Sequence, residues 1–469
     1  MIVGPIALML VTIAALAEGP VAPAAPVFSA KPCPGSPPSP RMTCGTVTVA
    51  ENRSAPAGRA IALNVVVVGA ARPRPGAVPM FHLDGGPGVA ATAVAGFYLG
   101  PGGMYSATRD VVLVDQRGTG ASAALHCPAI ERRPPWADEY AVDDVTACRD
   151  DLRSKADLTQ YSTESASLDL DDVRAALGYT QVDLWALSYG TRLAQVYMKR
   201  FPARVHAAVL VGFAPLDYRA PLYHAMNAQR VLDLLFYDCA RDEACSAKYP
   251  ELRADWQKVL HRFDSAAVTA TAQGAEVTIG RGPFGEVVRN MMTTTAGQRA
   301  LPALIHEAAG GDVTGFVSTR AGAAVPMAEG LYLSIVCSEA IPRIPADAAR
   351  FSAGSFLGSY RVESERAACA GWPRYRVGDD FYAPPRGSLP ILVISGTMDH
   401  VTAPEWAHDF CASSAGCRLV DVPELGHGPF DLGRWVEGDC VDRVAATFLD
   451  NPRTLDTSCI GRMRPPAFK

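Results

Sequence analysis

The sequence predicts an α/β fold, a mostly parallel, doubly wound sheet with an inserted, mainly helical cap, and three observations carry that expectation. Short runs rich in β-branched and aliphatic residues alternate with helix-period segments through the first half of the chain, the pattern of a parallel sheet flanked by helices. Between about residues 216 and 385 this rhythm fades into Ala-rich, helix-prone sequence. Two further strand-like runs then return before the C-terminus.

The expected central strands are residues 77–83, 110–114, 182–187, 207–211, 390–394 and 418–422. Two helices flank the run 182–187. In the first, Leu170, Val173 and Leu177 recur at helical spacing and Gly178 supplies a stop; in the second, 191–200, Leu193, Val196 and Tyr197 share one face. At 469 residues the chain exceeds one simple domain. The predicted layout is a signal peptide (1–17), a Pro/Ala-rich flexible lead-in (18–43), the first part of the core (44–215), the cap (216–385) and the rest of the core (386–469).

Hydrophobic residues make up 49% and charged ones 19%, with a net charge of −5. Lys and Arg are outnumbered and form no run, which excludes a nucleic-acid binder. Ile6 to Ala17 is apolar and ends in Ala15-Leu16-Ala17, a small-x-small cleavage site before Glu18. No Lys or Arg precedes it, so a short uncleaved anchor is the alternative, although the run falls well below the ~20 residues that span a bilayer. No stable membrane span is expected after cleavage, and the expected location is secreted or periplasmic. Oligomeric state is not legible.

Twelve cysteines support export, because an even, high count signals disulfides and an oxidising compartment. The simplest pairing joins sequence neighbours: Cys33 with Cys44, Cys127 with Cys148, Cys239 with Cys245, Cys411 with Cys417 and Cys440 with Cys459, leaving Cys337 with Cys369. Sequence does not fix that connectivity. Metal binding is the rival reading, disfavoured because there is no C-x-x-C and no zinc-finger spacing.

The chemistry centres on Leu184-Trp185-Ala186-Leu187-Ser188-Tyr189-Gly190, an apolar strand followed by an amphipathic helix. This is the pattern of a nucleophile elbow, in which small residues two before and two after the serine let the backbone turn sharply. A serine hydroxyl needs a base to take its proton and a carboxylate to orient that base. Downstream, the run ending at Ile394 delivers Asp399, and the run 418–422 followed by Gly426-His427-Gly428 delivers His427. Ser188, Asp399 and His427 thus follow the order Ser, Asp, His, each beyond the C-terminal end of an expected strand, where open α/β sheets bind ligands. Asp84-Gly85-Gly86-Pro87-Gly88 supplies a glycine-rich turn, and the backbone N–H groups of Gly86 and Tyr189 are assigned to the oxyanion hole. Taken singly, each piece has a bland reading as a turn or loop; their joint order carries the assignment. Such chemistry requires no cofactor and no metal.

These residues resemble the proline iminopeptidase group of α/β-hydrolases, and within it the secreted tripeptidyl-aminopeptidase-like branch. The resemblance rests on residues 84–88, on Asp115-Gln116-Arg117-Gly118-Thr119-Gly120, on Ser188-Tyr189-Gly190-Thr191, on Gly396-Thr397-Met398-Asp399-His400-Val401-Thr402 and on Gly426-His427-Gly428. Segments 337–339 and 369–373 also look like that branch. Asp84 stands where many members carry His, and Ala186 where they carry Gly. The resemblance implies an α/β-hydrolase fold and a serine exopeptidase acting on peptide substrates at a free N-terminus. Asp115 and Arg117 read as a structural pair bracing their loop, with direct substrate contact as the alternative.

An aminopeptidase must also hold a protonated α-amine, which calls for carboxylates in a partly desolvated end of the cleft. Glu339 is the candidate, with a salt-bridged structural role as its alternative. His400 reads as a loop residue rather than a second base. Two rival functions remain: a carboxylesterase or lipase-like hydrolase, since fold does not choose substrate, and a catalytically inactive binding protein on a hydrolase scaffold, against which stands the retention of all three groups.

Overall fold

The computed structural model describes residues 1, 26–34, 39–272, 274–318 and 326–469; the stretch read as a signal peptide lies outside the described residues. Its strands are β1 (Phe28–Lys31), β2 (Met42–Ala50), β3 (Ala60–Val68), β4 (Met80–Leu83), β5 (Val111–Val114), β6 (Val182–Leu187), β7 (Val205–Val211), β8 (Val268–Ala272), β9 (Ala275–Ile279), β10 (Ile391–Gly396) and β11 (Cys417–Val422). Nine of them form one sheet in the order β1-β2-β3-β5-β4-β6-β7-β10-β11. Pairing is parallel from β5 through β11, and antiparallel among β1, β2, β3 and β5.

Alternate residues of each strand serve opposite faces. Val65, Phe81, Val112, Leu184 and Val393 pack into one layer, whereas Val66, Met80, Leu113, Trp185 and Leu392 pack into the other. With both faces covered, the strands have no polar side, which is why they read as continuous apolar runs. The expected runs coincide with β4, β5, β6, β7, β10 and β11. What pattern reading missed is the antiparallel edge. Strand β1 lies inside the segment expected to be a flexible lead-in; it pairs with β2 from Phe28↔Val47 to Lys31↔Cys44. The Phe28 ring occupies the space that a Cβ at Gly45 would need, 2.3 Å away, so the short strand is held by packing that its composition does not announce.

Between β7 and β10 the chain forms helices that include Ala220–Arg241, Leu252–Ser265, Arg281–Met291 and Thr295–Gly310. They bury their own aromatic core of Trp256, Phe263, Phe284, Phe316 and Phe356. Two features depart from a purely helical lid. Strands β8 and β9 make a hairpin within it. The helix Glu329–Glu339 packs Leu331, Ile335, Val336 and Cys337 into the cluster on the face of the main sheet. The insertion is thereby tied to the core rather than perched on it.

All twelve cysteines are joined as sequence neighbours: Cys33–Cys44, Cys127–Cys148, Cys239–Cys245, Cys337–Cys369, Cys411–Cys417 and Cys440–Cys459. Each bridge closes a short loop and acts mainly by restricting the unfolded chain. Among the described residues, no helix is long and apolar enough to cross a membrane.

Candidate active site

Ser188 follows β6 directly and caps the helix Tyr189–Arg200 with φ 55° and ψ −124°, a conformation that costs an L-residue about 1–3 kcal/mol. The tight turn explains the residue two positions on. A Cβ at Gly190 would stand 2.1 Å from the Leu83 carbonyl oxygen, so only glycine fits. The other small residue, Ala186, is fully buried in β6. Ser188 is held to the sheet through its own N–H, which donates to Val211 O at 2.9 Å. The helix start behind it concentrates positive potential where an oxyanion would form.

The loops after β10 and β11 bring Asp399 and His427 to this edge. Ser188 Oγ lies 2.9 Å from His427 Nε2, and His427 Nδ1 lies 2.8 Å from Asp399 Oδ2. Asp399 is fully buried, and its carboxylate is saturated by its own loop. The Val401 and Thr402 N–H groups donate to Oδ1 at 2.7 and 2.8 Å, and the Thr402 hydroxyl donates to Oδ2 at 2.7 Å. That leaves Oδ2 facing His427, the arrangement that fixes a proton on Nδ1 and frees Nε2 to accept one. Thr402 was not singled out by sequence; its position three residues beyond an aspartate that closes its own turn was the available signal.

The Asp84–Gly88 turn lies against the serine: a Cβ at Gly85 would fall 3.0 Å from Ser188 Cβ. Gly86, with φ 106°, and Tyr189 each present an N–H that has no hydrogen-bond partner among the described residues. Asp84 turns away from this opening. It accepts from the Gly85 N–H at 2.7 Å and lies 3.3 Å from His82 Nε2. Although burial acts to raise its pKa, the hydrogen bond and charge of His82 leave the Asp84 carboxyl below its ordinary value.

Two expectations fall elsewhere. Asp115 and Arg117 do not pair with each other. Asp115 accepts from Asn64 Nδ2, Thr92 N, Thr92 Oγ1 and Ala121 N at 2.8–3.1 Å, while Arg117 forms a bidentate pair with Asp169 at 2.6 and 2.7 Å. Both are buried and brace separate neighbours. Glu339 does not line a cleft. It is 1% exposed, sits 3.1 Å from Arg192 and accepts from Tyr375 OH at 2.6 Å, so its charge is already used inside the protein. Replacing Glu339 by glutamine strands the buried Arg192 charge. It is expected to lower stability by about 3 kcal/mol in a denaturant melt, with KM for free-amine peptides unchanged. His400 is a fully buried loop residue whose ring nitrogens have no hydrogen-bond partner among the described residues, and burial, reinforced by Arg289 and His427, pushes it well below the usual histidine range.

An acidic cluster that sequence reading missed lies beyond the glycine turn. Ala328 N donates to Gly88 O at 3.0 Å, and the next residue, Glu329, accepts from Tyr140 OH at 3.0 Å. No cation pairs with Glu329 among the described residues, and burial, aided by Glu139, pushes it up to about 8. Beside it Glu139, Glu286 and Glu365 converge on Arg361 at 2.7, 3.0 and 3.1 Å, with Arg289 on Glu286 at 2.7 Å. Glu365 is pushed up to about 7 by burial, aided by Glu139. Three carboxylates thus share two guanidinium groups, and Glu329 stands beside them without one. Glu139 and Glu329 are enclosed by protein yet keep partly accessible surface. These residues come from segments 139–140, 286–289, 329–332 and 361–365, so no local pattern unites them.

Residues 104–433 match the profile of the alpha/beta hydrolase fold family. The chain is 24% identical to the tripeptidyl aminopeptidase of Streptomyces lividans over 479 aligned positions, covering 90% of this chain and 84% of that protein. It is 27% identical to YuaR of Escherichia coli (strain K12) over 163 residues, which are 33% of this chain and 32% of that protein. Among solved structures, the proline iminopeptidase of Mycobacterium smegmatis aligns with a TM-score of 0.41 at 17% identity, covering 87% of this chain and 98% of that one. Strand order, the turn at Ser188 and the match across residues 104–433 agree: the chain belongs to the alpha/beta hydrolase fold family.

Proposed function

We propose that this protein is a secreted serine exopeptidase that releases single residues or short peptides from a free N-terminus. The observation that carries the reading is the hydrogen-bonded row Ser188–His427–Asp399 at a strained turn. Ser188 Oγ attacks the scissile carbonyl as its proton passes to His427 Nε2. The Gly86 and Tyr189 N–H groups receive the negative charge that builds on the carbonyl oxygen. His427 then protonates the departing amine, and water repeats the sequence on the acyl-enzyme. Six disulfides support an oxidising destination.

The acidic cluster favours a substrate with a free amine. Glu329 is an enclosed carboxylate with no cation paired to it among the described residues, costly to keep unless an external cation completes it. Glu329 therefore replaces Glu339 as the residue that receives the α-amine, with Glu139, paired to Arg361, beside it. Incubating the protein with matched peptide libraries, free and N-acetylated, and reading products by mass spectrometry tests the function. Release of N-terminal fragments from the free set alone is expected; ester cleavage without any amide cleavage would transfer the protein to the carboxylesterases.

Glu329→Gln is expected to raise KM for free-amine peptides at least tenfold, with acyl-ester kinetics unchanged. It also carries a pH signature. Because the folded-state pKa lies above the unfolded value, the native state loses stability as pH rises from about 4.5 to 8. The glutamine variant escapes that loss. Its melting temperature should exceed that of the parent at pH 8 and approach it at pH 5.

A further inference from the structure

The loop that carries Asp399 is shared between two parts of the chain: its Thr397 and Met398 N–H groups donate to Val422 O and Leu425 O of the core, whereas most of its carbonyl groups are bonded by the inserted segment. Arg230, on the helix Ala220–Arg241, donates from one guanidinium nitrogen to Thr397 O at 3.0 Å and from the other to Asp399 O at 2.6 Å. Gln298 Nε2 donates to Met398 O at 3.0 Å. Val401 O accepts from both Tyr218 OH and Asn227 Nδ2 at 3.0 Å. The base loop leans on the same insertion, since His427 N donates to Thr293 O at 3.1 Å and Thr295 Oγ1 donates to Glu424 O at 3.0 Å. Carbonyl groups at such a buried junction require donors. Here the donors for four of the five carbonyls from Thr397 to Val401 come from residues 218–298, not from the core that supplies β10.

We infer that the insertion is a working part of the nucleophile's activation, with Arg230 as the positioning residue that sets the Asp399 loop and, through it, the orientation of His427. The inference rests on the role given above to Ser188, His427 and Asp399. Arg230 bridges the carbonyl two residues before Asp399 and that of Asp399 itself, so it fixes the backbone on which the carboxylate turns. Among the described residues it makes no hydrogen bond to Ser188 or to the ring of His427. Its effect is therefore on geometry, where a misplacement of about 1 Å costs about 100-fold in rate. Its hydrogen bonds among the described residues go to the Asp399 loop and to none of the carboxylates Glu139, Glu286, Glu329 and Glu365, so binding should be spared.

The test is the rate at which the full-length protein reacts with a fluorophosphonate, together with kcat and KM for an acyl ester. Arg230→Met should lower both the labelling rate and kcat by about 100-fold with KM little changed, while Arg230→Lys, which keeps a cationic donor, recovers part of the loss. Arg241→Met, which removes an exposed cation from the same helix, should behave as the parent. A folded Arg230→Met protein that labels at the parental rate, or one whose loss lies in KM alone, overturns the inference. Should Arg230→Met fail to fold, Asn227→Leu decides: it removes one of the two donors to Val401 O and should slow labelling severalfold at constant KM, and a parental rate overturns the inference. Absence of labelling at Ser188 in the parent would strike the active-site reading itself, which separates the two failures.

Discussion

Replacing Ser188 by alanine is expected to lower kcat by about 10⁶-fold, the scale seen when a nucleophile of this kind is removed. The fold should survive it. Alanine differs only by the hydroxyl oxygen, whose hydrogen-bond partner is His427, and the turn is set by backbone contacts: the Ser188 N–H to Val211 O and the close approach of Gly190 to Leu83. The variant should therefore melt within a few degrees of the parent while losing turnover of amides and esters together. KM should remain measurable by competition, because the cluster at Glu329 is untouched. Retention of more than a hundredth of parental turnover would show that another group attacks the substrate.

Asp399→Asn is expected to cost on the order of 10⁴-fold in kcat, about 5 kcal/mol of barrier, with KM and fold preserved. The reason lies in the donors around the carboxylate. Val401 N–H and Thr402 N–H both point at Oδ1, so an asparagine must keep its oxygen there and present its NH₂ where Oδ2 stood. That NH₂ faces His427 Nδ1 at the 2.8 Å position and forces Nδ1 to accept. The ring then carries its proton on Nε2, toward Ser188, and cannot take another. The Thr402 hydroxyl can rotate to accept from the new NH₂, which keeps the substitution sterically and energetically mild. A rate within tenfold of the parent would contradict this arrangement of protons.

The parallel part of the sheet was legible because strands covered on both faces have one-note apolar composition, and the turn at Ser188 was legible because its geometry admits few residues. The disulfide partners were recoverable for a local reason, each bridge joining sequence neighbours. What the sequence concealed was long-range. Strand β1 depends on Phe28 packing over Gly45, and Glu339 is neutralised by Arg192, which lies on a helix far away in the chain. Asp115 and Arg117 look like partners because they are near neighbours, yet each finds its counterpart elsewhere, Arg117 in Asp169. The cluster around Glu329 and the donors from Arg230, Asn227 and Gln298 gather residues that no spacing rule connects.

The most direct test of the central claim is to react the protein with a fluorophosphonate at neutral pH and locate the adduct by mass spectrometry of the digested chain. A single phosphonyl group on the peptide containing Ser188, lost in Ser188→Ala and slowed in Asp399→Asn, is the predicted result. An unmodified Ser188 in folded protein, or an adduct on a different serine that persists in Ser188→Ala, would contradict it.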